Sequence, residues 1–199
     1  MIYNKPSGLT SDIKGLGRLF RDYEIVHRLD KETTGAIIFA KTREAATKIK
    51  ELFKKHEIHK VYHVIVDGVP REKSGIIESH IGKIHATGDY VLWGSVKAEH
   101  GREAKTSWRL IKPGKNASLI YCEPITGRTH QIRVHMKEMG FPVLGDYRYQ
   151  RQFRCSYSPN RVMLHAASIS FVHPITNKKI HVEAPTPEDF QAALDRVIL

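Results

Sequence analysis

The sequence predicts an α+β protein built on a mixed, largely antiparallel central sheet with flanking helices. Three observations carry that expectation. Segments that alternate in the strand manner outnumber segments with a helical stripe. The strands follow one another in hairpin order, joined by turns rich in Gly, Pro and Asn. Only three stretches place apolar residues at helical spacing.

In chain order, Ile2-Tyr3-Asn4-Lys5-Pro6-Ser7-Gly8 reads as a short strand ending in a turn set by Pro6 and Gly8, which places the chain start close to the sheet. Residues 10–22 carry Gly15 and Gly17 without a period and read as a loop. Residues 36–40 are a fully apolar run of strand length. Thr42 then caps a helix beginning at Arg43, with Ala45, Ala46, Ile49, Leu52 and Phe53 as its apolar stripe. Residues 60–66 alternate as a strand closed by Asp67-Gly68, and that strand scatters His56, His59 and His63, which helical geometry would have gathered toward a metal. Residues 74–93 read as short strands punctuated by Gly82 and Gly88, and 97–105 as exposed and polar. Strand pairs follow at 106–111 with 118–123 and at 163–172 with 178–182. Thr186-Pro187-Glu188-Asp189 opens a last helix whose stripe is Phe190, Ala193, Leu194, Val197 and Ile198.

Bulk properties narrow the class. The length suits one compact domain or two closely packed lobes, and 41% hydrophobic content excludes a disordered or collagen-like chain. No apolar run is long enough to span a membrane, and the first residues contain no signal-peptide core. Cys122 and Cys155 lack metal-ligand spacing and read as reduced thiols of a cytoplasmic protein. The net charge of +11 and pI of about 9.7 suit a polyanion, nucleic acid first. The positive residues are spread through the folded segments and form no basic tail.

Two stretches carry the chemistry. In residues 26–40, Asp30 follows His27 and Arg28, precedes Lys31, and leads into a polar turn closed by Gly35. Alone, that reads first as a salt-bridged turn. The second stretch, 124–140, predicts a helix of about three turns with Thr129 as N-cap, a seam of Ile132, Met136 and Met139, and Gly140 just past its end. Its start offers free N–H groups and a positive dipole end, with Gly127 and Arg128 at the mouth. His130, Arg133 and Lys137 share one face, either as a solvated basic surface or as an anion or RNA site. His130 and His135, five residues apart, point apart and are not a metal pair.

Together the stretches are more specific than either. His27-Arg28-Leu29-Asp30 with Thr33-Thr34-Gly35 resembles the signature around the catalytic aspartate of the RluA family of pseudouridine synthases. Gly127-Arg128-Thr129-His130-Gln131-Ile132-Arg133-Val134-His135 resembles that family's third motif, Lys5-Pro6-Ser7-Gly8 its first, and Lys60 with Tyr62 its short tyrosine motif. Gly145-Asp146 and Leu164-His165-Ala166 are similar to its later landmarks. The order is right over nearly the whole chain; Thr34 departs from the usual serine but keeps the hydroxyl.

The resemblance implies one catalytic domain over 1–199 without an appended S4 domain, and an active-site cleft across the sheet. It also implies isomerisation of uridine to pseudouridine in RNA, with no metal or organic cofactor; a ribosomal or transfer RNA stem-loop is the expected substrate and a monomer the expected form, neither of which the resemblance decides. Asp30 is the expected nucleophile, toward the uracil ring or the anomeric carbon. Arg133 is its cationic partner, and Tyr62 a stacking platform that can pass a proton. Arg28, Lys5, Gly127, Arg128, Thr129, His130 and Gln131 are the expected RNA contacts. The target base must be flipped out to react, and Arg28 is placed to fill its space or hold a phosphate. Two other readings compete. One is a non-catalytic RNA-binding or ribosome-assembly factor on the same fold, disfavoured by the presence together of Asp30, Tyr62 and Arg133. The other is a hydrolase or nuclease, disfavoured because no motif supplies a second carboxylate.

Overall fold

The computed structural model describes residues 1–88 and 90–198; Asp89, within the stretch predicted as short strands, and Leu199 lie outside the described residues. The fold is α+β, as expected. Two compact units divide it, Met1–Tyr62 with Leu164–Pro187, and His63–Met163 with Glu188–Leu199.

The first unit is organised around β3 (Thr34–Ala40), buried along its whole length. Antiparallel β1 (Ile2–Lys5) pairs with it from Ile2↔Ile38 to Lys5↔Gly35, and the two-residue β2 (Glu24–Ile25) also pairs with it. β9 (Leu164–Val172) runs parallel to it at Thr34↔His165 and Gly35↔Ala166, and β10 (Lys179–Glu183) returns antiparallel on β9. Gly35 has φ +111°, and a Cβ there would lie 2.2 Å from the Ala166 carbonyl oxygen, so glycine permits this parallel contact. Just before it, Thr34 Oγ1 meets Nδ1 of buried His165 at 2.9 Å, while His165 Nε2 faces the Ala184 carbonyl at 3.2 Å. The carbonyl can only accept, so the proton sits on Nε2 and Nδ1 accepts from the Thr34 hydroxyl.

Alternation along β3 feeds two cores. Ala36, Ile38 and Ala40 pack with Ala46 and Ile49 of α2 (Arg43–Lys54) and with Ile169 and Phe171. Ile37 and Phe39 pack with Leu29, Leu16 and Ala166, and Tyr62 lies against this second core. Thr42 caps α2 through the Ala45 N–H, as predicted. The helix ends with His56 at φ +59°, and the Glu57 and His56 N–H groups close on Leu52 and Phe53 carbonyls. The stretch predicted as a loop holds one helical turn, α1 (Leu16–Leu19), because Leu16 is fully buried in the second core. β4 (His59–Asp67) begins in this unit and continues in the next.

The second unit carries β5 (Ser74–Thr87), β6 (Tyr90–Ser95), β7 (Arg102–Pro113) and β8 (Ala117–Pro124) in the order β8-β7-β5-β6, all antiparallel neighbours. Gly82 does not interrupt β5 as predicted. It lets the strand pass close to the His100 carbonyl, which a Cβ would approach to 2.5 Å. The stretch predicted as exposed at 97–105 is exposed from Lys97 to His100 and at Arg102 and Glu103, while its end begins β7, where Ala104 faces the core with Ile81 and Val134. α3 (Gln131–Glu138) packs on this sheet, and α4 (Glu188–Val197) buries Phe190 and Ala193. Gly140, at φ +87°, ends α3 with its own N–H on the Lys137 carbonyl and that of Phe141 on Met136. The start of α3 differs from expectation. His130, in the left-handed region, is the N-cap, and Thr129 makes no capping bond.

Candidate active site and RNA-contact surface

In the first unit, the residues before Asp30 are fixed through their main chain. Buried Ser11 donates its hydroxyl to the Leu29 carbonyl at 2.9 Å and accepts the Leu29 N–H at 3.1 Å. The Thr33 N–H closes a turn on the Asp30 carbonyl, and the Gly8 N–H and Ser7 hydroxyl bond the Lys31 and Glu32 carbonyls. Lys5, expected to contact RNA, is fully buried instead. Its ammonium donates to the carbonyls of Pro6, Leu9 and Lys31 at 2.9, 2.9 and 3.0 Å. A buried cation is tolerated only when its donors are met, and these three bonds tie the first turn to the Asp30 turn. Lys5 therefore shapes the site from beneath rather than touching RNA.

The side chains of this turn differ in character. Arg28 is exposed, and Asp30 is partly buried. Tyr62 lies on the core that holds Leu29. Burial, and after it the negative charge of Asp30, raise the Tyr62 hydroxyl above the usual phenol range, which keeps it protonated and shows Asp30 within electrostatic reach. His27 is not part of a cationic frame. Its Nε2 accepts the Ile38 N–H at 2.8 Å and its ring lies 4.6 Å from that of Phe53. Burial, and then the Lys60 cation, bring its pKa from 6.5 to about 3, while burial alone brings Lys60 to about 8.

The His27 shift has a consequence for stability. The unfolded chain binds the His27 proton below about pH 6.5 and the folded chain only near 3. Stability is therefore complete above 6.5 and falls as pH drops through that window, by up to about 1.4 kcal/mol per pH unit from this group. Urea midpoints measured from pH 7 to 4 should decline more steeply for the wild type than for His27→Gln. Parallel declines would remove His27 as the cause.

In the second unit, α3 presents a buried Arg133 rather than a solvated basic face. Arg133 donates from Nε to Asp146 Oδ2 at 2.6 Å and from Nη2 to Oδ1 at 2.7 Å, with Asp146 itself buried. Its guanidinium also stands 5.2 Å from the Tyr149 ring centroid. Gln131, expected to contact RNA, is buried and built into the loop. Its Oε1 accepts the Thr126 hydroxyl and the Arg128 N–H, and its Nε2 donates to the Lys105 carbonyl and Thr106 Oγ1. Thr106 Oγ1 also lies 2.8 Å from Nδ1 of buried His135, whose Nε2 is 3.1 Å from Ser79 Oγ; burial pulls His135 below its ordinary pKa. Gln131 thus ties the loop before α3 to β7, the N-cap His130 makes no side-chain capping bond, and His135 faces the core.

What remains toward solvent is Gly127, Thr129, partly buried Arg128 and partly buried His130. A Cβ at Gly127 would meet nothing within 4 Å, so the main chain there is open to a partner. Arg128 donates through Nε to the Glu103 carbonyl at 2.7 Å, and burial, followed by the charge of Arg102, lowers its pKa. Exposed Arg102 thus joins this basic corner, a residue that no motif singled out.

Comparison with known proteins agrees with these features. The RNA pseudouridylate synthase family model matches residues 1–138. Ribosomal large subunit pseudouridine synthase D of Zymomonas mobilis is 38% identical over 185 residues, covering 90% of this chain and 57% of the relative. An uncharacterized RNA pseudouridine synthase of Synechocystis is 36% identical, covering 98% of this chain and 65% of the relative. Ribosomal large subunit pseudouridine synthase C of Escherichia coli is 32% identical, with 99% and 67% covered. The chain thus spans between 57% and 67% of the length of these relatives. Among solved structures, human RNA pseudouridylate synthase domain containing 1 superposes with a TM-score of 0.79 at 28% identity, over all of this chain and 85% of that one. Domain containing 4 gives 0.82 at 22%, over 98% and 88%, a likeness of fold. With the family model covering the segment that holds Asp30, Tyr62 and Arg133, this chain belongs to the RluA family of RNA pseudouridine synthases.

Proposed function

We propose that this protein isomerises uridine to pseudouridine in ribosomal RNA, with Asp30 as nucleophile, Tyr62 as platform and Arg133 as the cation that keeps the carboxylate reactive. The observation that carries the reading is the setting of Asp30, on a turn fixed through its main chain directly after Leu29, on whose core Tyr62 packs. An acid on a turn fixed through its main chain stands within electrostatic reach of a protonated tyrosine on a rigid strand. The carboxylate forms a covalent bond to the flipped nucleotide, the bond from uracil nitrogen to sugar breaks, and the ring turns and rejoins the sugar through carbon; the bond to Asp30 then breaks and frees the carboxylate. The ring carbon that takes the new bond gives up its proton and the released nitrogen gains one, so the reaction needs no outside reactant. Tyr62 stacks beneath the uracil, and its protonated hydroxyl gives its proton to the released nitrogen and takes the one the ring carbon loses. The names of the relatives favour ribosomal RNA as the substrate; transfer RNA is the second substrate to try, and a cytoplasmic address is part of the proposal. Gly127, Arg128, Thr129 and His130 hold the RNA backbone.

The test is to incubate the protein with ribosomal and transfer RNA and map new pseudouridines. Wild-type marks in ribosomal RNA that vanish with Asp30→Asn support the proposal. RNA binding without marks would favour an assembly factor, and strand cleavage a nuclease. Exposed Arg28 has its own test. Arg28→Ala should lower kcat/KM on a structured stem-loop more than on a flexible oligonucleotide, because only the former must be unstacked. Equal losses would argue against a part in flipping.

A further inference from the structure

Tyr149 lies three residues past Asp146, in no motif, yet the contacts of α3 converge on it. The Arg133 guanidinium stands 5.2 Å from its ring centroid. Its hydroxyl lies 2.8 Å from His130 Nδ1 and accepts the Trp93 main-chain N–H at 3.3 Å. The His130 and Tyr149 rings meet edge to face, 5.7 Å apart at 87°.

The Trp93 bond belongs to a series. β6 ends the β8-β7-β5-β6 order, and its outer edge would offer unpaired polar groups at every second residue. Side chains meet them one after another. Arg148 donates to the Val91 carbonyl at 3.0 Å, Trp93 donates to Tyr149, and the Ser95 N–H and hydroxyl donate to Glu138 at 2.9 and 2.6 Å. The Tyr149 hydroxyl is thereby anchored to the sheet's main chain rather than to a mobile side chain. Having accepted from Trp93, it has one proton to give, and His130 Nδ1 is the acceptor in line.

We propose that Tyr149 is a positioning residue with two separable actions. Its ring holds the Arg133 guanidinium in the plane set by the Asp146 carboxylate, and its hydroxyl fixes the rotation of His130 and the tautomer with the proton on Nε2. This rests on the roles proposed above for Arg133 in the reaction and for His130 at RNA. The two actions are separated by substitution. Tyr149→Phe keeps the ring and removes the hydroxyl, and Tyr149→Leu removes both.

The experiment compares both variants of the full chain in RNA affinity, in single-turnover pseudouridine formation and in ¹⁵N spectra of the His130 ring and Arg133 side chain. Tyr149→Phe should weaken RNA binding about threefold to tenfold, the worth of one hydrogen bond. Its single-turnover rate should stay within about twofold of wild type, its His130 signals should shift toward mixed tautomers, and its Arg133 signal should stay in place. Tyr149→Leu should lower the single-turnover rate about tenfold or more and move the Arg133 signal. A rate loss in Tyr149→Phe as large as in Tyr149→Leu, or unchanged His130 signals in Tyr149→Phe, overturns the proposal. Should Tyr149→Leu fail to fold, the fixed Arg133 and shifted His130 signals of Tyr149→Phe decide it. A wild type that forms no pseudouridine would remove the functional reading, while the spectra still test the positioning.

Discussion

Asp30→Asn is expected to lower the single-turnover rate of pseudouridine formation by about 10⁴-fold or more and to leave RNA affinity within about twofold. The amide has the shape of the carboxylate without its nucleophilicity, so the covalent step is lost rather than slowed. Folding should survive, because the turn is held through the main chain. Ser11 grips Leu29, Thr33 closes on the Asp30 carbonyl, and Lys5 and Gly8 both bond the Lys31 carbonyl. Tyr62 supplies a check that needs no substrate. The negative charge of Asp30 is the second cause of its raised hydroxyl, so in Asp30→Asn the Tyr62 phenol should titrate at lower pH, still above normal because burial remains. A rate loss below tenfold would take the nucleophile's role away from Asp30. An unmoved Tyr62 titration would mean that the carboxylate does not face the phenol.

The fold and the chemical residues were legible to different depths. Local signals fixed the elements well wherever one residue does one job. Thr42 capped α2, Gly140 ended α3, and the apolar run before Lys41 became the buried β3. Expectation failed where tertiary packing overrode a local sign. Gly82 reads as a break by composition, yet β5 runs through it because the His100 carbonyl needs the space of a missing side chain. Thr129 reads as an N-cap by type, yet the helix starts one residue later, after left-handed His130, and the side chain of its first residue, Gln131, holds the Arg128 N–H of the preceding loop. Lys5 and Gln131 lie in motifs expected to contact RNA and are polar, which is all that residue type conveys. Only burial shows that their donors and acceptors are met by the protein's own main chain and hydroxyls. Asp146 was visible as a landmark but not as the partner of Arg133, thirteen residues earlier, since a fork-to-fork ion pair leaves no periodic trace. Ser11, Arg102 and Tyr149 left no signal, because each acts through a neighbour brought to it by the fold.

Arg133 has a structural role in its pair with Asp146 and a proposed role in the reaction, and the two can be separated. Arg133→Leu should cost about 3–5 kcal/mol of stability, because it leaves the Asp146 carboxylate buried without its cation. Most of that cost is the stranded charge rather than the lost attraction, so Arg133→Leu with Asp146→Leu should recover more than half of it, the pair being replaced by apolar volume. Arg133→Lys keeps a charge but not the two parallel bonds at 2.6 and 2.7 Å, and should fall between wild type and Arg133→Leu. Activity should not follow stability. If the guanidinium acts in the reaction, the double variant stays inactive although its urea midpoint has returned. Recovery of pseudouridine formation alongside the midpoint would make Arg133 a structural residue only, and costs that simply add in the double variant would show that Arg133 and Asp146 do not act as a pair.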